Sequence, residues 1–140
     1  MPQNPFVGKW TYRSLLNEPD GSIPFDKLEF GEGTIQINND DAPELLTGTI
    51  GGEGWSLTLH GSRGYGSPAQ VRFQGTGIVG GELWIYDYIG WLVPVWPNST
   101  EQLQRPAIVG SVTRTIPHSS SGGGTAPAGF VASFYAVKVE

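Results

Sequence analysis

The chain contains no cysteine among its 140 residues. Disulfide bridges, thiolate nucleophiles and cysteine-ligated zinc are therefore excluded, because each of them needs a thiol. Basic residues are also scarce, with 8 Lys and Arg against 13 Asp and Glu and a formal net charge of -5. Such an acidic chain is poorly suited to nucleic-acid phosphates or to an anionic membrane surface, so we expect neither as a partner.

Long apolar runs are missing as well. None approaches the roughly 18 residues that a bilayer-spanning helix needs, so membrane insertion is not expected. The opening residues 1–6 (MPQNPF) lack the basic and apolar regions of a signal peptide. We expect a cytoplasmic protein, or a secreted one if a signal peptide has been removed. The length suits one domain over residues 1–140.

Turn-forming and aromatic residues are plentiful instead. The 21 glycines and 11 prolines are spread along the chain, and both types favour turns over element interiors. Between them, about eight segments alternate apolar and polar residues with the period of a half-buried strand. The segments cover residues 7–16, 27–38, 45–51, 55–61, 69–77, 82–89, 107–117 and 128–139.

This pattern predicts an all-β fold, a single antiparallel up-and-down eight-stranded β-barrel, with a β-sandwich as the alternative. A closed barrel has no exposed strand edges, and at about eight strands it is just wide enough for side chains or one small ligand. In such a meander, linkers 17–26, 52–54, 78–81 and 118–127 share one rim. Linkers 39–44, 62–68 and 90–106 share the other.

Three short matches resemble the calycin barrels, the superfamily of lipocalins and avidins. Residues 6–10 (FVGKW) resemble its Gly-x-Trp opening, in which the tryptophan plugs the closed end of the barrel, and residues 86–88 (YDY) resemble the Thr-Asp-Tyr motif of lipocalins. Lys138 is the candidate for the basic residue that packs over the plug. The resemblance implies that Trp10 closes one rim and that a ligand enters at the other. A full set of avidin biotin-site residues is lacking, so biotin is not implied.

Candidate ligand-binding residues are aromatic or cationic. Strand 82–89 is apolar on both faces, and the sequence leaves open which face points inward. The outer face then needs a cover, which is either the long loop or another subunit in a homo-oligomer. Arg114 is buried if its face is the inner one, where it can orient a ligand carboxylate or carbonyl; the alternative is an outward arginine. The candidates are Trp10, Tyr12, Trp55, Trp84, Tyr86 and Arg114.

Candidate proton-transfer residues are Asp87, Tyr88 and His118. Asp87 shares its face with apolar neighbours, so its carboxylate needs a partner or else a raised pKa. A structural alternative is a salt bridge to Arg72 or Arg114, or a hydrogen bond to backbone. The two histidines, at positions 60 and 118, fall at opposite rims. We therefore expect no metal site, and no cofactor motif is identified.

The long connection 90–106 carries two tryptophans and three prolines. Trp91 and Trp96 are costly to leave in water, so we expect this loop to pack as a cover on the barrel, either closing its bottom or forming a lid.

These features predict a protein that binds a small, largely apolar molecule in the barrel. One alternative is a cofactor-independent isomerase or cyclase that uses the same cavity, and another is an oligomeric carbohydrate-binding or structural module. Whether the protein is an enzyme is left open by the sequence.

Overall fold

Every one of the alternating segments forms a strand in a computed structural model, which describes residues 4–139. Residues 1–3 and 140, which the expected domain includes, lie outside the described residues. A short 3-10 helix, Phe25–Lys27, lies between the first two strands. The strands are β1 (Gly8–Leu16), β2 (Glu29–Ile37), β3 (Leu45–Gly52), β4 (Trp55–Gly64), β5 (Gln70–Val79), β6 (Glu82–Val93), β7 (Ala107–Arg114), β8 (His118–Ser119), β9 (Thr125–Ala126) and β10 (Val131–Val137).

Strands β1 to β7 and β10 close into one antiparallel barrel. Each barrel strand pairs with the next barrel strand along the chain, so that β7 pairs with β10, and β10 pairs back with β1. The predicted up-and-down barrel is confirmed, and the sandwich alternative is not. The two remaining strands, β8 and β9, form a small hairpin that the sequence pattern did not predict. In the part of the chain that the structure describes, no helix is long and apolar enough to cross a membrane.

The two ends of the barrel differ in their loops. The upper end holds linkers 17–28, 53–54, 80–81 and 115–130, and the lower end holds linkers 38–44, 65–69 and 94–106. This is the distribution that the meander predicted, with slightly different bounds.

Trp10 closes the lower end. Its side chain is fully buried, and its indole Nε1–H donates a hydrogen bond of 2.9 Å to the backbone oxygen of Phe6. Lys138 Nζ lies 5.8 Å from the centroid of the Trp10 ring, within the range of a cation–π contact. The plug and its basic partner are thus placed as the resemblance implied.

The lower part of the barrel is packed solid with apolar side chains. Buried residues from several strands form one apolar cluster with Trp10 at this level. They include Ile35, Ile37, Leu46, Ile50, Leu57, Leu59, Val71, Ile108, Val112 and Ala136.

Glycines make room for the large rings in the upper part. Residues directly opposite one another on antiparallel strands share a face, and three inward rings each lie opposite a glycine. A side chain there would collide with the core: a Cβ on Gly75 would lie 3.0 Å from Leu57 Cδ1. The pairs are Tyr12 with Gly33, Tyr86 with Gly75 and Trp84 with Gly77.

Strand β6 points Trp84, Tyr86 and Tyr88 inward, which answers the question that the sequence left open. The opposite face remains partly exposed, with Leu83 at 46%. The long loop does not cover it: Trp96 is 74% exposed, and the loop lies at the lower end. The expectation that this loop packs as a cover is therefore wrong for Trp96. The expected oligomer, which rests on the same outer face, stays a prediction.

Replacing Trp10 with alanine is expected to lower the free energy of unfolding by about 3–5 kcal/mol, because the strands cannot close the space that a buried aromatic ring leaves. The matched control is Trp96→Ala, which removes an exposed ring and should change stability by less than about 0.5 kcal/mol. Urea denaturation followed by circular dichroism measures both. Equal losses in the two variants would contradict the plug role of Trp10.

Candidate functional site

A cavity of about 150 Å³ opens in the upper part of the barrel, above the packed core. Six of its eight lining residues are aromatic, so its surface is dominated by ring faces and edges. The lining residues are Tyr12, Ser14, Phe30, Gly31, Trp55, Trp84, Tyr86 and Tyr88.

The floor of the cavity is formed by Tyr12 and Tyr88. Their rings meet edge to face with centroids 6.0 Å apart. Burial raises the pKa of Tyr12 to about 12, while hydrogen bonds from Ser14 and Tyr88 act in the opposite direction. Burial also raises the pKa of Tyr88 well above its usual range. Both phenols are therefore neutral near pH 7 and offer a ligand hydrogen bonds rather than charge.

The walls are indole and phenol rings in edge-to-face arrangements. Trp55 meets Tyr12 with centroids 6.2 Å apart, and Trp84 meets Tyr86 at 6.1 Å. Such contacts hold the rings in fixed orientations, since the positive edge of one ring faces the negative face of the next. The cavity is therefore shaped by side chains that support one another.

A β-bulge brings Phe30 into the site. The register between β1 and β2 shifts between Ser14 and Leu15, whose partners are Gly31 and Glu29, so that Phe30 is the extra residue on β2. Phe30 and Gly31 consequently both line the cavity. In the sequence, the apolar phase of this segment changes across residues 31–33, between Phe30 and Ile35, so the bulge lies slightly N-terminal to that change.

At the upper wall, Tyr86 binds two ionisable side chains. Its hydroxyl oxygen accepts a hydrogen bond of 3.0 Å from Arg114 Nε and lies 2.7 Å from His118 Nε2. The other ring nitrogen of His118, Nδ1, lies 3.0 Å from the carbonyl oxygen of Ser119, which can only accept, so Nδ1 carries a proton. In the neutral imidazole Nε2 then accepts a hydrogen bond from the Tyr86 hydroxyl.

His118 reaches this position from the β8–β9 hairpin. Its ring is buried and stacks on Trp84, with centroids 4.1 Å apart and planes within 11°. The hairpin therefore folds over part of the upper end and fixes the side of the cavity formed by Trp84 and Tyr86.

Arg114 points inward, so the outward alternative is wrong. The residue is buried, with 9% of its surface exposed, and its guanidinium donates to Tyr86 and, from Nη1, to the backbone oxygen of Pro127 at 3.2 Å. Its Cζ lies 5.3 Å from the ring centroid of Phe30 and 5.4 Å from that of Phe130. Arg114 thus borders the cavity through two of the lining residues, Phe30 and Tyr86.

Two sequence candidates lie away from the cavity. Trp10 is a buried core residue at the closed end and is not among the residues that line the cavity, so its proposed ligand contact stays a prediction. Asp87 alternates with the inward Tyr86 and Tyr88 and therefore lies on the outer face. There its carboxylate accepts hydrogen bonds from Gln74 and Thr115. Asp87 does not meet the other proposed proton-transfer residues, and neither expected salt bridge to an arginine is formed.

The structure brings the remaining candidates together. Tyr12, Trp55, Trp84, Tyr86 and Tyr88 line one cavity, with Arg114 and His118 at its border. Ser14, Gly31 and Phe30 were missed as site residues. The alternation of β1 places Ser14 on the face of Tyr12, which was a usable signal. Phe30 had no such signal, because a bulge breaks the period that would have assigned its face.

The described residues contain no group of three His, Asp or Glu side chains that could hold a metal ion.

Comparison of the chain with protein-family models, with curated proteins and with solved structures finds no significant match.

Raising the pH is expected to destabilise the protein between pH 10 and 12, because folded Tyr12 keeps its proton up to a pKa of about 12, whereas an ordinary tyrosine releases it near 10.0. In that window the unfolded state binds fewer protons than the folded state. The free energy of unfolding therefore falls by about 1.4 kcal/mol per pH unit because of this tyrosine.

Tyr12→Phe should remove the part of this stability loss that comes from Tyr12. Urea denaturation at several pH values between 10 and 12 measures the free energy of unfolding of each protein. The control is Tyr65→Phe, which removes a phenol that is 59% exposed and should leave the pH dependence unchanged. The same slope in wild type and Tyr12→Phe would contradict the proton linkage at this residue.

Proposed function

We propose that the protein binds a small, largely apolar molecule, about one aromatic ring in size, in the upper cavity of the barrel. The observation that carries this proposal is the open volume of about 150 Å³ enclosed almost entirely by aromatic side chains. An apolar protein cavity of about this volume accepts benzene. The solid core below it excludes long chains from the barrel axis.

Aromatic walls and buried hydroxyls suit such a ligand in two ways. Ring faces and edges bind apolar surface through burial and quadrupole contacts. The hydroxyls of Tyr12, Ser14 and Tyr88 at the floor can fix the orientation of a single polar substituent. The site therefore favours a compact ring with one polar atom over an aliphatic chain.

We also propose that the barrel is of the calycin type. The support is the combination of an eight-stranded closed meander, a buried Trp10 at the closed end and Lys138 over its ring. Departures from the lipocalin pattern are Thr11 after the tryptophan, where lipocalins usually carry an aromatic, and lysine in place of arginine.

Binding is tested by titrating wild-type protein with benzene, phenol and indole, and following tryptophan fluorescence and calorimetry. We expect dissociation constants on the order of 0.1 to 1 mM, because ligands this small offer few contacts. Gly31→Val fills part of the cavity and should weaken binding at least about tenfold, since the three added carbon atoms occupy ligand volume.

The matched control is Gly122→Val, in an exposed linker where an added Cβ meets no atom within 4 Å. It should bind as wild type does. Failure of all three ligands to bind, or equal binding by Gly31→Val and wild type, would contradict the proposed function.

The second candidate function is a cofactor-independent isomerase or cyclase in the same cavity. It is favoured by the Tyr86 hydroxyl, which lies 2.7 Å from His118 Nε2 and is in reach of both a proton donor and an acceptor. In the enzymatic candidate, Tyr86 and His118 exchange a proton with the substrate. Asp87, on the outer face, takes no part in the reaction.

Turnover is tested by incubating the protein with any ligand found above and following new species by nuclear magnetic resonance. His118→Ala is expected to lose at least about a hundredfold in rate, as for a general acid or base. Asp87→Asn should keep the wild-type rate. Equal rates in all three proteins, or no turnover of a ligand that binds, would contradict the enzymatic candidate and leave the binding function in place.

A further inference from the structure

Arg114 is a nearly buried cation without an anionic partner among residues 4–139. Its hydrogen bonds go to a neutral phenol, Tyr86, and to a backbone carbonyl, that of Pro127. Aromatic rings surround the rest of the group. The two carboxylates of β6 are engaged elsewhere, with Glu82 accepting from the backbone N–H of Ser119 and Asp87 accepting from Gln74 on the outer face.

Burial of a charge is costly unless an opposite charge or strong hydrogen bonds compensate it. Ring contacts and two neutral acceptors compensate the guanidinium in part. An arginine that served only to hold Tyr86 and the loop 115–130 would be replaceable by a neutral donor. A permanent positive charge at this place is explained by an anion that is not part of the described chain.

The geometry leaves a side of the guanidinium free for that anion. Among the described residues Nη2 has no hydrogen-bond partner, while Nε and Nη1 are occupied. Phe30 and Tyr86 contact the guanidinium and also line the cavity, so a group leaving the cavity along these two rings arrives at Arg114.

A planar carboxylate suits this position. Arginine presents its N–H groups in a flat fork that matches carboxylate geometry, and such charge-assisted hydrogen bonds are stronger than neutral ones. The stacked rings of Phe30 and Phe130, with centroids 5.5 Å apart, limit the space around the guanidinium.

We infer that the ligand of this protein is a small aromatic carboxylate, with its ring in the upper cavity and its carboxylate on Arg114. This inference rests on the proposed function and adds the charge and the second contact point of the ligand. The acidic protein, with a net charge of -5, thus places one of its few cations where an anion enters.

The test compares two ligands of equal shape, benzoate and benzamide, by calorimetry on wild-type protein. Benzoate should bind about tenfold or more tightly than benzamide, because only benzoate pairs its charge with the guanidinium. Arg114→Gln should reduce benzoate affinity to that of benzamide and change benzamide affinity by less than about threefold.

The matched control is Arg72→Gln, which removes one positive charge from the outer face of β5. It should keep the full preference for benzoate. A second measurement on wild-type protein does not depend on the folding of Arg114→Gln. The Nε–H resonance of Arg114 should shift on titration with benzoate and not with benzamide.

Equal affinities of wild type for the two ligands, or an equal loss of preference in Arg72→Gln and Arg114→Gln, would overturn the carboxylate inference and leave the proposed function standing. An Arg114 resonance that responds to both ligands or to neither would overturn it as well. Absence of binding for both ligands, together with the neutral panel above, would overturn the proposed function and this inference with it.

Discussion

Closure of the sheet is the constraint on which the rest of this structure depends. When β10 pairs with β1, the backbone of every barrel strand has neighbours on both sides, and the diameter of the interior is set by the number of strands. All inward side chains then compete for one narrow volume. The size of each inward residue decides whether a given level of the barrel is solid or open.

The distribution of large and small residues produces a solid lower part and an open upper part. Aliphatic side chains from several strands fill the level above Trp10. Higher up, rings such as Tyr86 lie opposite glycines, so that a ring occupies the space of two side chains. The bulge at Phe30 widens the same level. A cavity remains where these rings support one another without filling the centre.

The polarity of the inward side chains also changes from the lower end to the upper end of the barrel. Trp10 and the core above it are apolar, and the floor of the cavity carries neutral phenols. At the upper wall, the Tyr86 hydroxyl forms hydrogen bonds with Arg114 and His118. The Tyr86 hydroxyl is satisfied by Arg114 and His118, whereas Arg114 keeps one N–H group, at Nη2, without a partner among the described residues. Charged side chains therefore border the upper end of the barrel, and apolar side chains fill the lower end.

The sequence by itself determined the strands and predicted an antiparallel barrel with a sandwich as the alternative, because period-two alternation and turn residues are local properties of the chain. The pairing of β10 with β1 decided in favour of the closed barrel. It also identified the aromatic residues that line the cavity, such as Tyr12 and Trp84. The tertiary structure alone decided the inward face of β6, the outward position of Asp87 and the contact of His118 with Tyr86. The physical reason is that register and bulges depend on pairing between distant strands, and a shift of one residue exchanges inside and outside.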